Sequence, residues 1–233
     1  MFTLAAPRIA AGTHHREAVP GEGGRWPLSV VLRPDPGTAL ARSLDVLTQE
    51  AAALAGPGHW QTGQLGSAHL TVRALEPRRE HIPTNDPTAA RYRSALTRAT
   101  SRPGGGGAGA DTRPSGEPAG WPASFRVTGL TLTPGTIMAC AEPLDPAADT
   151  FSDRLTTELG PDAWYETTRR DIWYLNLLHF TGDIARPAEL IDWVASRRAT
   201  PYGTVAVSNA ELVRAELATG NRPHMRLVEW VSG

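Results

Sequence analysis

Two short segments of the chain carry an imidazole and a hydroxyl at the same spacing: His69-Leu70-Thr71 and His179-Phe180-Thr181. Both lie in apolar, strand-like runs. Side chains at i and i+2 of a strand share a face. Each copy therefore presents a histidine and a threonine together, while Leu70 and Val72, or Leu178 and Phe180, point the other way into a core. Two such strands facing each other across a groove would bring two histidines and two hydroxyls to one point. Imidazole gives or takes a proton near neutral pH, and neutral hydroxyls can hydrogen-bond an oxyanion. The set suits acid/base chemistry on a phosphate.

The pattern gains its weight from context. With seven histidines in the chain, roughly one His-x-Ser/Thr is expected from composition alone. The other five (His14, His15, His59, His81 and His224) do not match it, and the surroundings of the two that do are repeated. A lone strand histidine is commonly a satisfied polar residue; a pair in duplicated surroundings points to a site. Alternation extends the face of His69 and Thr71 to Arg73, which would supply a cation. Tyr202, Trp60 or Trp173 would stack on a base, against the plainer role of core or rim packing. His59, His69 and His81 with Asp86 would be a zinc set only at spacings of ten and twelve, with Gly58 and Pro83 placing the outer two in turns, a poor match to compact ligand pairs. The run Gly104–Ala110 lacks the Gly-Lys-Ser/Thr ending of a phosphate loop.

Composition bounds the class. The chain has 233 residues, 40% hydrophobic and 20% charged, with a net charge of −1. That length suits one large domain or two small lobes. Near-neutral charge argues against an extensive nucleic-acid-binding surface, and all 23 basic residues are arginines, whose guanidinium groups suit bidentate phosphate contacts. Apolar runs are too short for a membrane span, and the N-terminus lacks a leader pattern, so a cytoplasmic protein, acting as a monomer, is expected. The single cysteine, Cys140, excludes an internal disulfide and reads as a small core residue in a strand.

The elements that must position the motifs follow from punctuation and periodicity. Residues 1–25 read as a flexible, loosely docked N-terminal arm. A first strand over 26–32 ends at Pro34-Asp35-Pro36-Gly37. Thr38 caps a helix over 39–55, with Leu40, Leu44, Leu47 and Leu54 at helical spacing and Gly56-Pro57 as the stop. After the His69 strand, Asp86 caps and Pro87 opens a helix reaching Thr100. Residues 101–120, rich in Gly and Pro, read as a disordered linker. Beyond it come a hairpin around Pro134-Gly135, a helix over 146–159, the His179 strand over 172–181, a helix from Pro187 to Arg198 with Asp183 as an upstream cap, and strands over 202–208 and 225–231. The expected fold is α+β and duplicated: one bilobal domain over 26–233, with lobe-forming segments of about 26–100 and 121–233.

With its two hydrophobically flanked His-x-Thr motifs, the chain resembles the 2H phosphoesterase superfamily, which includes the 2′-5′ RNA ligases and related cyclic nucleotide phosphodiesterases. The resemblance covers about residues 26–233, with Gly182 departing from the apolar residue usual after the second motif. It implies antiparallel sheets lining a central groove with helices outside, His69 and His179 as general acid and base, and Thr71 and Thr181 on the phosphoryl oxygens. The reaction implied is cleavage of a 2′,3′-cyclic or 2′-5′ phosphodiester of a nucleotide or RNA end. Neither proton transfer requires a metal or cofactor. Two alternatives stand beside it: a module that binds a nucleotide or RNA end with little turnover, and an enzyme of a specialised pathway acting on a phosphorylated small molecule.

Overall fold

A computed structural model describes residues 1–18, 27–77, 86–101, 123–168, 170–220 and 222–232. The expected linker at 101–120 lies almost wholly outside them, as does His81 of the zinc alternative. The described chain is α+β. In order, it forms α1 (Phe2–Ala10), β1 (Ser29–Leu32), α2 (Ala39–Ala55), β2 (Trp60–Gln61), β3 (Leu70–Ala74), α3 (Pro87–Thr100), β4 (Ala123–Leu132), β5 (Thr136–Pro143), α4 (Ala147–Leu159), β6 (Trp173–His179), α5 (Pro187–Ala195), β7 (Gly203–Val207), β8 (Ala210–Ala218) and β9 (His224–Ser232). A short 3-10 turn, Gly160–Ala163, follows α4.

Helix signals read from sequence are realised by the expected side chains. The Thr38 hydroxyl accepts from Ala41 N at 3.2 Å to cap α2, and the Asp86 carboxylate accepts from Thr88 N at 3.0 Å with Pro87 opening α3. In α2, Leu40, Leu44 and Leu47 are buried, the 3–4 spacing of a core-facing stripe. Helix α5 is different: its cap is Arg186 without a side-chain bond, because Asp183 instead receives the guanidinium of Arg16.

The described part of the N-terminal segment, residues 1–18, is not the loosely docked arm expected. Residues 2–10 form α1, whose Ala5 and Ile9, one turn apart, are buried, and the Arg198 guanidinium lies 4.7 Å over the Phe2 ring. Residues 14–17 continue beside the end of β6: Glu17 N donates to Phe180 O at 2.6 Å and His15 N to Pro134 O at 2.9 Å.

Among the described residues, the nine strands belong to one sheet in the order β2-β9-β8-β1-β3-β6-β5-β4-β7, and β2 pairs also with β6. The second pairing closes a circuit of six strands, β2-β9-β8-β1-β3-β6. The two lobes are therefore not two halves of the sequence. The C-terminal β8 pairs antiparallel with β1 over Ser29–Leu32, completing the lobe that holds β3, while β4, β5 and β7 complete the lobe that holds β6. The strand β8 was not anticipated, since Ala-Glu-Leu-Val-Arg-Ala-Glu-Leu-Ala is built of helix formers. Ladder pairing with β1 and β9 prevails there, and the fully buried Arg214 pairs with Glu76 at 3.1 Å. None of the helices among the described residues is long and apolar enough to cross a membrane.

Strand β2 is held to β6 at close quarters. Thr62 N and Gly63 N both donate to Leu177 O, at 3.0 and 3.2 Å. A Cβ on residue 63 would lie 2.3 Å from Thr48 Oγ1 and 3.0 Å from Leu177 Cα, and Thr48 cannot yield because its hydroxyl donates to Leu44 O at 2.7 Å. Gly63→Ala is expected to lower stability by about 1–3 kcal/mol through overpacking, read as a lower midpoint of thermal unfolding. An unchanged midpoint would show that β2 can move away from β6 without cost.

Candidate functional site

The inner strands of the two lobes, β3 and β6, meet at one bridge, Leu70 opposite Leu175. Both leucines are fully buried. The residues flanking them, His69 and Thr71 on one strand and Asn176 and Tyr174 on the other, point to the opposite face and line a cavity of about 240 Å³. Every strand of the six-strand circuit adds to its wall: Ser29 and Val31 from β1, Trp60 from β2, His179 from β6, Val213 and Ala215 from β8 and Met225 from β9. No residue of the five helices does so among the described residues, so the helices lie outside the groove.

Two bulges decide which side chains face the cavity. On β3, Val31 pairs with Thr71 but Val30 with Arg73, leaving Val72 as an extra residue. A bulge shifts the alternation by one. Ala74 takes the cavity face, and Arg73 turns away into the interior, donating to Thr156 Oγ1 at 2.9 Å, to Ala163 O at 3.2 Å and to Glu166 O. The cation expected from Arg73 is therefore a clamp on the 163–166 loop. On β6, Ile137 pairs with Leu178 but Met138 with Asn176, leaving Leu177 extra. Leu177 and Leu178 are both buried, and Tyr174, Asn176 and His179 share the cavity face.

His69 and His179 thus line one cavity. The loop bearing His69 is tied to its surroundings: Ser67 Oγ donates to Met225 O at 2.6 Å, and Arg33 donates to Gly66 O at 3.0 Å while pairing with Glu211. His69 Nδ1 lies 2.7 Å from Ser67 O. A carbonyl can only accept, so Nδ1 carries the hydrogen and Nε2 keeps a lone pair. Burial lowers the His69 pKa below 6.5; the Ser67 carbonyl works against this, and the Arg33 and Arg170 charges add to it. The His179 ring lies 4.4 Å from that of Trp60, and its Nδ1 has no hydrogen-bond partner among the described residues. Burial, and then the charge His69 would carry, pushes the His179 pKa down to about 3.

Thr181 is not brought to this cavity. The ladder ends at His179, and beyond it Thr181 N donates to His59 Nδ1 at 3.2 Å and Thr181 Oγ1 to Gly58 O at 2.9 Å. The other ring nitrogen of His59 bonds Ala55 O at 3.1 Å, so His59 is a buried brace with both nitrogens occupied, which disposes of it as a zinc ligand here. Among the described residues no group of His, Cys, Asp and Glu is arranged to hold a metal ion. Tyr202 packs against the core away from the cavity. Trp173 donates to Asp149 Oδ1 at 3.1 Å and sits edge-on to Phe125, leaving Trp60 as the indole that reaches the cavity.

Seven polar lining residues were not foreseen: Glu17, Ser29, Thr62, Ser67, Arg170, Tyr174 and Asn176. Arg170 is the one guanidinium among the described residues of the wall. It pairs with Glu166 at 2.5 Å and donates to Tyr174 Oη at 2.9 Å, while Glu166 also accepts from Ala74 N at 3.0 Å. Burial opposes its charge, but the Glu166 carboxylate and Tyr174 prevail and raise its pKa. Asn176 had one signal in the sequence, a lone amide inside Trp-Tyr-Leu-Asn-Leu-Leu-His. Alternation counted back from His179 misses it because of the bulge.

No protein-family model matches the chain, and no curated protein matches it by sequence. Solved structures do match. Escherichia coli LigT complexed with 3′-AMP superposes with a TM-score of 0.51 at 12% identity, over 89% of this chain and 98% of that one. A structure described as a phosphoesterase gives 0.47 at 11% identity over 89% and 97%. A conserved Agrobacterium tumefaciens protein of unknown function, ATU0111, gives 0.48 at 15% identity over 96% and 97%. The first of these establishes a shared fold with LigT.

The depressed histidines have a consequence for stability. His59, His69 and His179 all have folded pKa values below 6.5, so below that pH the unfolded chain binds more protons than the folded one. Stability must fall as pH drops from about 6.5 toward 3. The urea midpoint of ligand-free protein is expected to decrease between about pH 7 and pH 5, and to decrease less in His179→Gln. Equal slopes in the two proteins would mean that His179 is not held neutral by burial.

Proposed function

On the premise of the 2H phosphoesterase fold, we propose that this protein is a metal-independent phosphoesterase that opens a 2′,3′-cyclic or 2′-5′ phosphodiester of a nucleotide or RNA end by two-histidine acid/base catalysis. The observation that carries the reading is the placement of His69 and His179, from the inner strands of the two lobes, in the wall of one cavity. The cavity also holds Thr71 and the Arg170 guanidinium. Nucleotide binding by the same fold in LigT, seen with 3′-AMP, favours a nucleotide substrate here.

The roles divide by tautomer. His69, with Nδ1–H held by Ser67 O, offers Nε2 as general base. It takes a proton from water as the water oxygen bonds to phosphorus. The bond from phosphorus to one ribose oxygen breaks, and His179, protonated, gives that oxygen its proton. The product is a phosphomonoester with a free ribose hydroxyl. Both imidazoles are biased to the neutral form in the free protein, and a phosphodiester anion entering the cavity favours the proton on His179. Thr71 donates a neutral hydrogen bond to the charge that develops on the phosphoryl oxygens.

Turnover of a 2′,3′-cyclic nucleotide tests this reading. His69→Ala and His179→Ala are each expected to lower kcat about 10²-fold or more, with the double variant little worse than the poorer single one. Chelator should leave activity intact. The kcat/KM profile should be bell-shaped and centred on the acid side of pH 6.5, since both folded pKa values lie below it. Thr71→Val should cost less than either histidine change, and Thr181→Val less again. Binding without turnover in the wild type would replace the enzyme by a nucleotide-binding module. Displacement of a mononucleotide by long RNA would separate an RNA-end substrate from a phosphorylated small molecule.

A further inference from the structure

The cavity wall holds more unpaired hydrogen-bonding capacity than the two His-x-Thr motifs explain. Thr62 is 1% exposed, yet its Oγ1 has no hydrogen-bond partner among the described residues, and the same is true of Asn176 Oδ1. Both residues line the cavity. Buried polar groups are nearly always satisfied, and exceptions call for a reason. Of the other polar groups in the wall, Ser67 Oγ donates to Met225 O, and Tyr174 Oη accepts from Arg170.

Their placement is fixed by the backbone. Trp60 pairs with His179 and Gln61 with Leu178, and Thr62 N is anchored on Leu177 O, so Thr62 stands beside the β6 bulge. Asn176 stands on the other side of that bulge, flanking the Leu70–Leu175 bridge together with His69. Both orphaned groups therefore sit in the same cavity wall as His69 and His179. Thr181, which the duplicated motif would place there, has given its hydroxyl to Gly58 O.

We propose that Thr62 and Asn176 form the phosphoryl-oxygen site of the His179 lobe, standing in for Thr181 opposite Thr71. The Thr62 hydroxyl donates one hydrogen bond, and the Asn176 amide, turned to present its NH2, donates another. The anionic oxygens of a phosphodiester then meet donors from both lobes. The inference rests on the phosphodiester reading of the cavity, and it makes the site asymmetric: one lobe uses the threonine of its motif, and the other uses a residue from β6 and one just past β2.

Inorganic phosphate is the probe, titrated calorimetrically into wild-type protein and into Thr62→Val, Thr62→Ser, Asn176→Leu and Thr181→Val, with thermal midpoints measured in parallel. Thr62→Val and Asn176→Leu should each weaken phosphate binding about 10-fold and lower kcat/KM on a 2′,3′-cyclic nucleotide by a similar factor, at unchanged or raised thermal midpoint. Thr62→Ser should restore binding, and Thr181→Val should leave it at the wild-type level. Wild-type affinity in Thr62→Val and Asn176→Leu, loss that appears only with a lowered midpoint, or a Thr181→Val protein as impaired as they are would overturn the assignment. Turnover with Thr62 and Asn176 dispensable would retain the enzyme and remove this site. Phosphate binding that needs both, without turnover, would retain the site and remove the enzyme.

Discussion

The contact between Leu70 and Leu175 is the joint on which this structure depends. It is the described bridge between β3 and β6, and thus the place where two four-stranded lobes become one sheet. Each leucine is fully buried, and burial of such a side chain contributes about 1.5–3 kcal/mol. Because pairing there is so short, the strands part on either side, and the side chains flanking the bridge face a cavity instead of a packed interior. Strand β2 closes the far side by pairing with β6 and β9. A longer β3–β6 ladder would zip the lobes together and leave no room for a ligand.

Within that frame, the bulges at Val72 and Leu177 set the chemistry. Each lies on an inner strand, and each shifts the side-chain alternation by one residue. The first takes Arg73 out of the cavity and makes it an anchor for the loop that carries Glu166 and Arg170. The second puts Asn176 and His179, three positions apart, on the same face. Bulges re-aim side chains near functional sites in many sheets; here they also separate the positively charged clamp from the neutral floor.

The electrostatics follow from enclosure. Burial disfavours charge on both histidines, whereas Arg170 keeps its charge through Glu166. The cavity wall therefore combines two imidazoles biased to the neutral form, the compensated Arg170 cation and the carboxyl group of Glu17. In the proposed reaction, a phosphodiester would supply the negative charge that makes a second proton on His179 favourable. Binding and activation of the acid would then be coupled, because the same anion that is bound stabilises the imidazolium. Donors held by the backbone ladder need little reorganisation when that happens.

The sequence by itself determined the local features: the capped helices at Thr38 and Asp86, the Pro134-Gly135 hairpin, the α+β alternation and the two histidine strands. These rest on neighbouring residues, through capping hydrogen bonds, turn conformations and apolar periodicity, so they are written in short windows. It did not determine α1, whose two buried residues are too few to stand out, or β8, whose helix-forming residues become a strand only because β1 and β9 offer ladder partners and Glu76 meets Arg214. The tertiary structure alone decided the site's membership. Arg73 and Thr181 left it, the one through a bulge and the other through His59 and Gly58, more than a hundred residues away in sequence. Thr62, Arg170, Tyr174 and Asn176 entered it because strand register and a loop clamp brought them there. Alternation predicts a face only while the ladder is unbroken, and a hydroxyl's partner is fixed only when distant backbone has been folded against it.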